Sequence, residues 1–205
     1  MVDLIVMKKA KSSITAEQLF GENIEPEIPY HCVKSDGTGY AVLFTDFIDL
    51  SSFCRKEEPR KFSILESQIL YDPNKYYEKE LVKINQFAEE EQKRELSNGI
   101  GYIDYLISEY KKDRWYRRGA YIQMHENLNT AIRTGVKCLF YINGFYSPAE
   151  DRALYYSHSL KKLPEKYNEL ISQSCDQVTN SEEDYFRREN VFMKKIVSYI
   201  RQFTK

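Results

Sequence analysis

The sequence predicts an α/β or α+β fold, in which a large mixed β-sheet carries helices on one face. Two observations lead to this prediction. Segments with helical periodicity alternate along the chain with short apolar runs that have the length of β-strands. The composition is also rich in aromatic residues, with 17 Tyr and 11 Phe among 205 residues, which is typical of a β-rich core or a broad interface.

The first sixty residues contain few clear signals. Thr15 to Phe20 favours a short helix, and Ser35–Gly39 is rich in turn-forming residues. Tyr40 to Leu50 alternates well enough to predict a strand after that turn. The glycine turn is the expected connection into the strand, and we assign no ligand to it.

A helix is predicted to begin after Asp72 and to end at Ser97–Gly99. Its apolar positions fall on one face, and they are Tyr77, Leu81, Ile84 and Ala88. Phe62 to Tyr71, which precedes this helix, fits either a strand or a short helix. The sequence alone does not decide between them, because short apolar runs occur in both structures.

The central segment is predicted to form a helix followed by two strands. A helix with a stripe at Ile103, Leu106, Ile107 and Tyr110 is predicted to close at Lys111–Asp113. Gly119–Met124 and Val136–Ile142 then favour β-strands. Two more helices follow, one from Pro164 and one after the capping pattern at Ser181. With no repeat and no linker, residues 1–205 are predicted to form a single domain.

Composition and charge exclude several classes of protein. A formal net charge of −1 argues against a protein that binds nucleic acid mainly by neutralising phosphates. No apolar run approaches the ~20 residues of a transmembrane helix, and the N-terminus does not resemble a signal peptide. The four cysteines are scattered, which fits neither a metal site nor a disulfide framework. We therefore expect a cytoplasmic protein without a metal.

Arg117 and Arg118 are the clearest candidates for ligand binding. They lie together at the predicted start of a strand, where two guanidinium groups could hold a phosphate through paired hydrogen bonds. Cys138 lies about twenty residues further on, and Ser159 about twenty beyond that. A cysteine near fixed cations can be a nucleophile, because cations favour the thiolate. The alternatives are a buried apolar cysteine and a solvated arginine pair on a turn.

This order of helix, Arg-Arg, strand, Cys, strand and Ser resembles the thymidylate synthase and deoxynucleotide hydroxymethylase family. The resemblance covers Asn98 to about Leu170, and it includes Asn168 after Leu163-Pro164. It departs from the family at Lys137, where the family has Pro, and at His158, where the family has Arg. The C-terminal His-x-Tyr of the family has no clear counterpart here.

The resemblance implies a thymidylate synthase-like homodimer with one face of the sheet packed against the second subunit. It implies transfer of a methyl or hydroxymethyl group from 5,10-methylenetetrahydrofolate to C5 of a pyrimidine nucleoside monophosphate. The nucleophile would then be Cys138. The residues that would bind the substrate are Arg117, Arg118, His158, Ser159 and Asn168. Two alternatives stay open: a catalytically inactive relative that binds nucleotides or proteins, and an unrelated tyrosine-rich interaction module.

Overall fold

The computed structural model describes residues 2–8, 12–13, 15, 18, 30–33, 39–46, 58–85 and 89–204. The chain forms two compact units, residues 1–56 and residues 57–205. Within the first unit, the described strands are β1 (Val2–Lys8), β2 (Tyr30–Val33) and β3 (Gly39–Asp46). They form a three-stranded sheet in the order β1-β3-β2, in which β3 is parallel to β1 and antiparallel to β2.

The second unit is helical in its described part. Its helices are α1 (Glu58–Leu65), α2 (Tyr76–Asn85), α3 (Glu89–Leu106), α4 (Glu109–Tyr116), α5 (Tyr121–Ile142), α6 (Glu150–Ser157), α7 (Tyr167–Cys175) and α8 (Glu182–Val191). The chain continues from α8 as a π-helix (Phe192–Val197), a helical turn (Ser198–Ile200) and a 3₁₀ turn (Arg201–Phe203). No helix in the described part of the chain is long and apolar enough to cross a membrane.

The predicted large mixed β-sheet is wrong, because the protein is mostly helical. The sequence favours strands at Gly119–Met124 and Val136–Ile142, but residues 121–124 begin the 22-residue helix α5 and residues 136–142 end it. Met124, Leu128, Ala131 and Leu139 are all buried and recur at helical spacing through this helix. Each apolar run was short enough to pass for a strand, and only the spacing across both runs identifies the helix.

Other boundaries also differ from the sequence prediction. Ser97–Gly99 lies inside α3 instead of ending a helix. Helix α3 ends at Leu106, and Ser108 caps the start of α4. The predicted strand from Tyr40 is present as β3, although residues 47–50 lie outside the described residues. The segment from Thr15 to Phe20 and the turn at Ser35–Gly39 also fall largely outside them.

Helix α5 is the centre of the core of the second unit, and two glycines allow close contacts with it. A Cβ atom on Gly99 of α3 would overlap the sulfur of Cys138 on α5. A Cβ atom on Gly135 would lie 2.8 Å from the ring of Phe192 in the π-helix. Cys138 and Phe192 are both buried, so these contacts fix how α3 and the π-helix pack on α5.

A buried arginine joins α5, α7 and α8. Arg188 is fully buried, and its Nε donates to the carbonyl of Ser174 at 2.8 Å. Its Nη atoms contact Nδ1 of His125 at 2.8 Å and Oδ1 of Asn129 at 2.5 Å. Because a guanidinium only donates, His125 accepts through Nδ1, and its Nε2 donates to the carbonyl of Ser181 at 3.0 Å. These bonds therefore require a neutral imidazole.

The start of α8 is held by two side chains. Ser181 caps the helix and accepts from the backbone N–H of Asp184 at 3.2 Å, as the sequence predicts. The carboxylate of Asp184 accepts from the backbone of the preceding loop and pairs with Arg187 at 2.6 Å. Burial raises the pKa of Asp184, but Arg187 and the backbone donors outweigh that effect and hold the pKa below its ordinary value of 3.8.

Candidate functional site

The arginine pair of the sequence prediction lies on the turn between α4 and α5. Arg117 and Arg118 are both exposed, and Arg117 pairs with Asp113 at 2.7 Å. The guanidinium of Arg118 lies 5.5 Å from the ring centre of Trp115. Contact of this pair with the nucleotide of a partner subunit, and the homodimer itself, stay predictions.

Cys138 lies in the interior and not on a strand at a ligand site. Its side chain is 1% exposed and packs over Gly99. Cys138 is 17 residues after the first residue of α5, which is about 25 Å along the helix axis. Arg117 and Arg118 precede that first residue, so within one chain they are too far away to stabilise a thiolate.

Of the three remaining predicted residues, His158 and Asn168 are in direct contact. Nδ1 of His158, which follows α6, contacts Oδ1 of Asn168 in α7 at 2.6 Å. Ser159 donates to the carbonyl of Tyr156 at 2.8 Å, so its hydroxyl closes the end of α6. The structure therefore places the predicted binding residues in two separate exposed regions, with Cys138 buried apart from both.

A cleft between α5 and α6, which we call the α5–α6 cleft, offers a different arrangement. Its volume is about 350 Å³, within the range of small-molecule sites. One wall is a face of α5 formed by Thr130, Arg133, Thr134 and Lys137, at helical spacing. The two threonine hydroxyls already donate to backbone carbonyls one turn earlier in α5. The charged side chains that α5 contributes to the cleft are those of Arg133 and Lys137.

The opposite wall of the cleft includes the start of α6. Ser147 and Pro148 lead into this helix, which begins at Glu150 after Ala149. Alanine has no side-chain acceptor for the first backbone N–H groups of a helix, and these groups carry the positive end of the helix dipole. Two cationic side chains thus face a wall that contains an uncapped helix start.

One acidic group opposes this positive field. The carboxylate of Glu150 lies 3.7 Å from Nε of Arg133, and its side chain is 83% exposed. An exposed pair at this distance contributes little free energy, so a ligand anion can compete with Glu150 for Arg133. Glu150 is the acidic side chain among the described residues that line the cleft.

Aromatic and apolar groups complete the cleft. Tyr102 of α3 lies at its edge and is 47% exposed, so its ring can stack against a flat ligand group. Ala153 and Leu154 of α6 supply apolar surface. A site with apolar walls, an exposed aromatic ring and two converging cations fits a small ligand that carries a phosphate and a planar ring.

A second cleft, between α4 and α8, is larger, at about 810 Å³. Its central cation is Lys112, which contacts Glu109 at 2.6 Å and Glu189 at 3.0 Å. Burial lowers the pKa of Lys112, but these two carboxylates outweigh it and raise the pKa overall. Burial also raises the pKa of Glu189, which Lys112 offsets only in part. Lys112 is therefore paired with two carboxylates, and Arg187 at the edge of the same cleft is paired with Asp184.

The described residues contain no group of three or more His, Cys, Asp or Glu side chains that could hold a metal ion. Comparison of the chain with protein-family models, with curated proteins and with solved structures finds no match. The geometry of the α5–α6 cleft is therefore the observation from which we infer a function.

Sequence inspection missed this cleft because it treated α5 as two strands. Thr130, Arg133, Thr134 and Lys137 follow the spacing i, i+3, i+4 and i+7, which places them on one face only if the segment is helical. The signal was present in the sequence, but it depended on the correct secondary structure.

Proposed function

We propose that the helical unit binds a small phosphate-bearing ligand of the nucleoside monophosphate class in the α5–α6 cleft. The observation that carries this proposal is the position of Arg133 and Lys137, one turn apart on α5, in a cleft whose other wall includes the uncapped start of α6. Guanidinium and ammonium groups beside free backbone N–H groups are a favourable environment for a phosphate.

The remaining parts of the ligand follow from the other walls. With the phosphate at Arg133 and Lys137, a planar base can stack on the exposed ring of Tyr102 at the edge of the cleft. Glu150 gives up its long contact with Arg133 when the phosphate arrives. A phosphate monoester gains its second charge near pH 6, so binding should strengthen as the pH rises from about 5 to 7.

Transfer of a one-carbon group from methylenetetrahydrofolate stays a prediction. It needs Cys138 as a nucleophile in contact with the base, whereas the Cys138 side chain is 1% exposed and lies against Gly99. Binding of the nucleotide needs no thiol. We therefore propose a binding module, and catalysis is not part of the proposal.

Calorimetric titration with dUMP tests this function. The double variant Arg133→Gln/Lys137→Gln should weaken binding by about 100-fold or more, since each of the two charge-assisted hydrogen bonds is worth about 1.5–3 kcal/mol. The matched control is Lys194→Gln/Lys195→Gln, which removes the same charge from two exposed residues outside the α5–α6 cleft. Equal affinity of the two double variants would refute the proposed site.

A further inference from the structure

A row of cations on α4 lies outside both clefts. Lys111, Arg114 and Arg118 follow the spacing i, i+3 and i+7, so they form one ridge along this helix and its following turn, which we call the α4 ridge. Within the part of the chain that the structure describes, none of the three forms an ion pair with a carboxylate. Their neighbour Arg117 differs, because it pairs with Asp113.

Each cation of the α4 ridge lies over an aromatic ring instead. The ammonium of Lys111 is 3.9 Å from the ring centre of Tyr105. The guanidinium groups of Arg114 and Arg118 are 4.8 Å and 5.5 Å from the ring of Trp115. Aromatic rings hold these cations in place without neutralising them, so their charge remains available to a ligand.

Helix stability does not explain the whole ridge. Arg114 lies in the last turn of α4 and Arg118 just beyond it, where the helix dipole favours cations, but Lys111 is the third residue of α4, near the positive end of the dipole. Like charges one turn apart also destabilise a helix. Three cations on one ridge are therefore better explained by an external anion than by folding.

The ridge is connected to the α5–α6 cleft by two stacked rings. Tyr105, which contacts Lys111, stacks on Tyr102 with ring centres 6.4 Å apart and an angle of 23° between the ring planes. Tyr102 itself lies at the edge of the cleft. Both rings are about half exposed. Tyr102 and Tyr105 thus lie between the α5–α6 cleft and Lys111 of the α4 ridge.

We propose that the nucleotide in the α5–α6 cleft is the terminal residue of a single-stranded polynucleotide, whose next bases and phosphates lie on Tyr105 and the α4 ridge. This inference rests on the proposed function of the cleft. An open surface that alternates aromatic rings with cations is the arrangement by which proteins hold single strands, since rings stack on bases and cations follow the backbone. Lys111 and Arg118 are about 10 Å apart along the helix axis, which is too far to serve one phosphate.

The net charge of the whole chain concealed this surface. The sequence argued against nucleic-acid binding because the formal net charge is −1. That value averages over the molecule, whereas the field that a ligand meets depends on the local arrangement of charges. The α4 ridge places three cations along one side of a helix, and the neighbouring Arg117 is paired with Asp113.

Fluorescence anisotropy and calorimetry with two ligands test the inference. The ligands are dUMP and a 5′-phosphorylated oligodeoxyuridylate of ten nucleotides. We expect the oligonucleotide to bind at least tenfold more tightly than dUMP. The variant Lys111→Gln/Arg114→Gln/Arg118→Gln should remove this advantage and leave the affinity for dUMP unchanged. The control Lys161→Gln/Lys194→Gln/Lys195→Gln, with the same loss of charge at exposed residues elsewhere, should bind both ligands like the wild type.

Salt dependence gives a second readout. Contact with five cations predicts a slope of log K against log salt of about −3.5 for the oligonucleotide, and the ridge variant should reduce it to about −1.4. Tyr105→Ala should weaken the oligonucleotide about fivefold or more, since it removes one stacking platform, and should spare dUMP. These variants change exposed side chains and the half-buried Lys111, and their thermal transitions show whether each one is folded.

The outcomes separate the inference from the proposed function. If dUMP binds in the cleft but the oligonucleotide binds no more tightly, or is insensitive to the ridge variant, the polynucleotide inference fails and the cleft proposal stands. If neither ligand responds to Arg133→Gln/Lys137→Gln, the cleft proposal fails. A polyglutamate peptide of equal charge that binds as tightly as the oligonucleotide, with the same dependence on the ridge, would overturn the inference in favour of an acidic protein partner.

Discussion

The contact between Gly99 and Cys138 gives the sharpest test of the helical core. Replacing Gly99 by Ala places a Cβ atom inside the contact distance of the Cys138 sulfur, between two helices that pack closely. Ala favours a helix by about 1 kcal/mol relative to Gly, but overpacking a core costs about 1–3 kcal/mol. We therefore expect Gly99→Ala to lower the free energy of unfolding by about 0–2 kcal/mol.

Gly101 of the same helix is the matched control, because a Cβ atom there meets nothing within 4 Å. Gly101→Ala should gain about 1 kcal/mol, so urea unfolding should separate the two alanine variants by about 1–3 kcal/mol. A second replacement, Cys138→Ala, removes the overlapping sulfur, so Gly99→Ala should stabilise the protein in that background. A double-mutant cycle should therefore give a coupling energy of similar size between positions 99 and 138. If Gly99→Ala and Gly101→Ala stabilise the protein equally, Cys138 does not pack on Gly99.

Three further predictions concern other parts of the second unit. Arg188→Met should lower the free energy of unfolding by about 3 kcal/mol or more in urea, since it leaves several buried acceptors without a donor; a change below 1 kcal/mol would contradict the buried network. Asp184 has a lowered pKa, so its stabilisation is present above pH 3.8 and is lost as the pH falls through its folded pKa. Unfolding of Asp184→Asn should therefore depend less on pH in this acidic range than the wild type, and identical profiles would refute the assignment. Glu150→Gln should tighten dUMP binding about twofold to fivefold in calorimetry, because it frees Arg133 from an exposed pair; weaker binding would show that Glu150 contacts the ligand favourably.

Local signals in the sequence predicted several features of this fold. Ser181 caps the start of a helix as its side chain suggests. These features depend on neighbours within one or two turns of chain, so short-range patterns capture them. The strand β3 was predicted from its alternation in the same way.

Long-range packing explains the features of the fold that the sequence did not predict. Gly99 signals the end of a helix in isolation, but here it lies inside α3 because Cys138 of α5 needs the space that a side chain would fill. The sequence gives no local sign that Arg188 is buried, because only the fold brings His125, Asn129 and the end of α7 around it. No local pattern contains these contacts.

The prediction of the candidate site also relied on positions along the chain and could not include long-range packing. The thymidylate synthase resemblance grouped Arg117, Cys138 and Ser159 by spacing along the chain, whereas the structure separates them. The sequence does not predict Arg133 and Lys137 as a pair, because they share a face only on a helix. The sequence predicts phosphate binding at Arg117 and Arg118, whereas we propose it at Arg133 and Lys137.

Titration of the ¹⁵N-labelled protein with dUMP, followed by NMR, tests the central claim most directly. The α5–α6 cleft predicts that the Nε–H signal of Arg133 and the backbone amides of Glu150 and Asp151 shift together, with one dissociation constant. Shifts confined to Arg117 and Arg118, or no shifts at millimolar dUMP, would contradict the account.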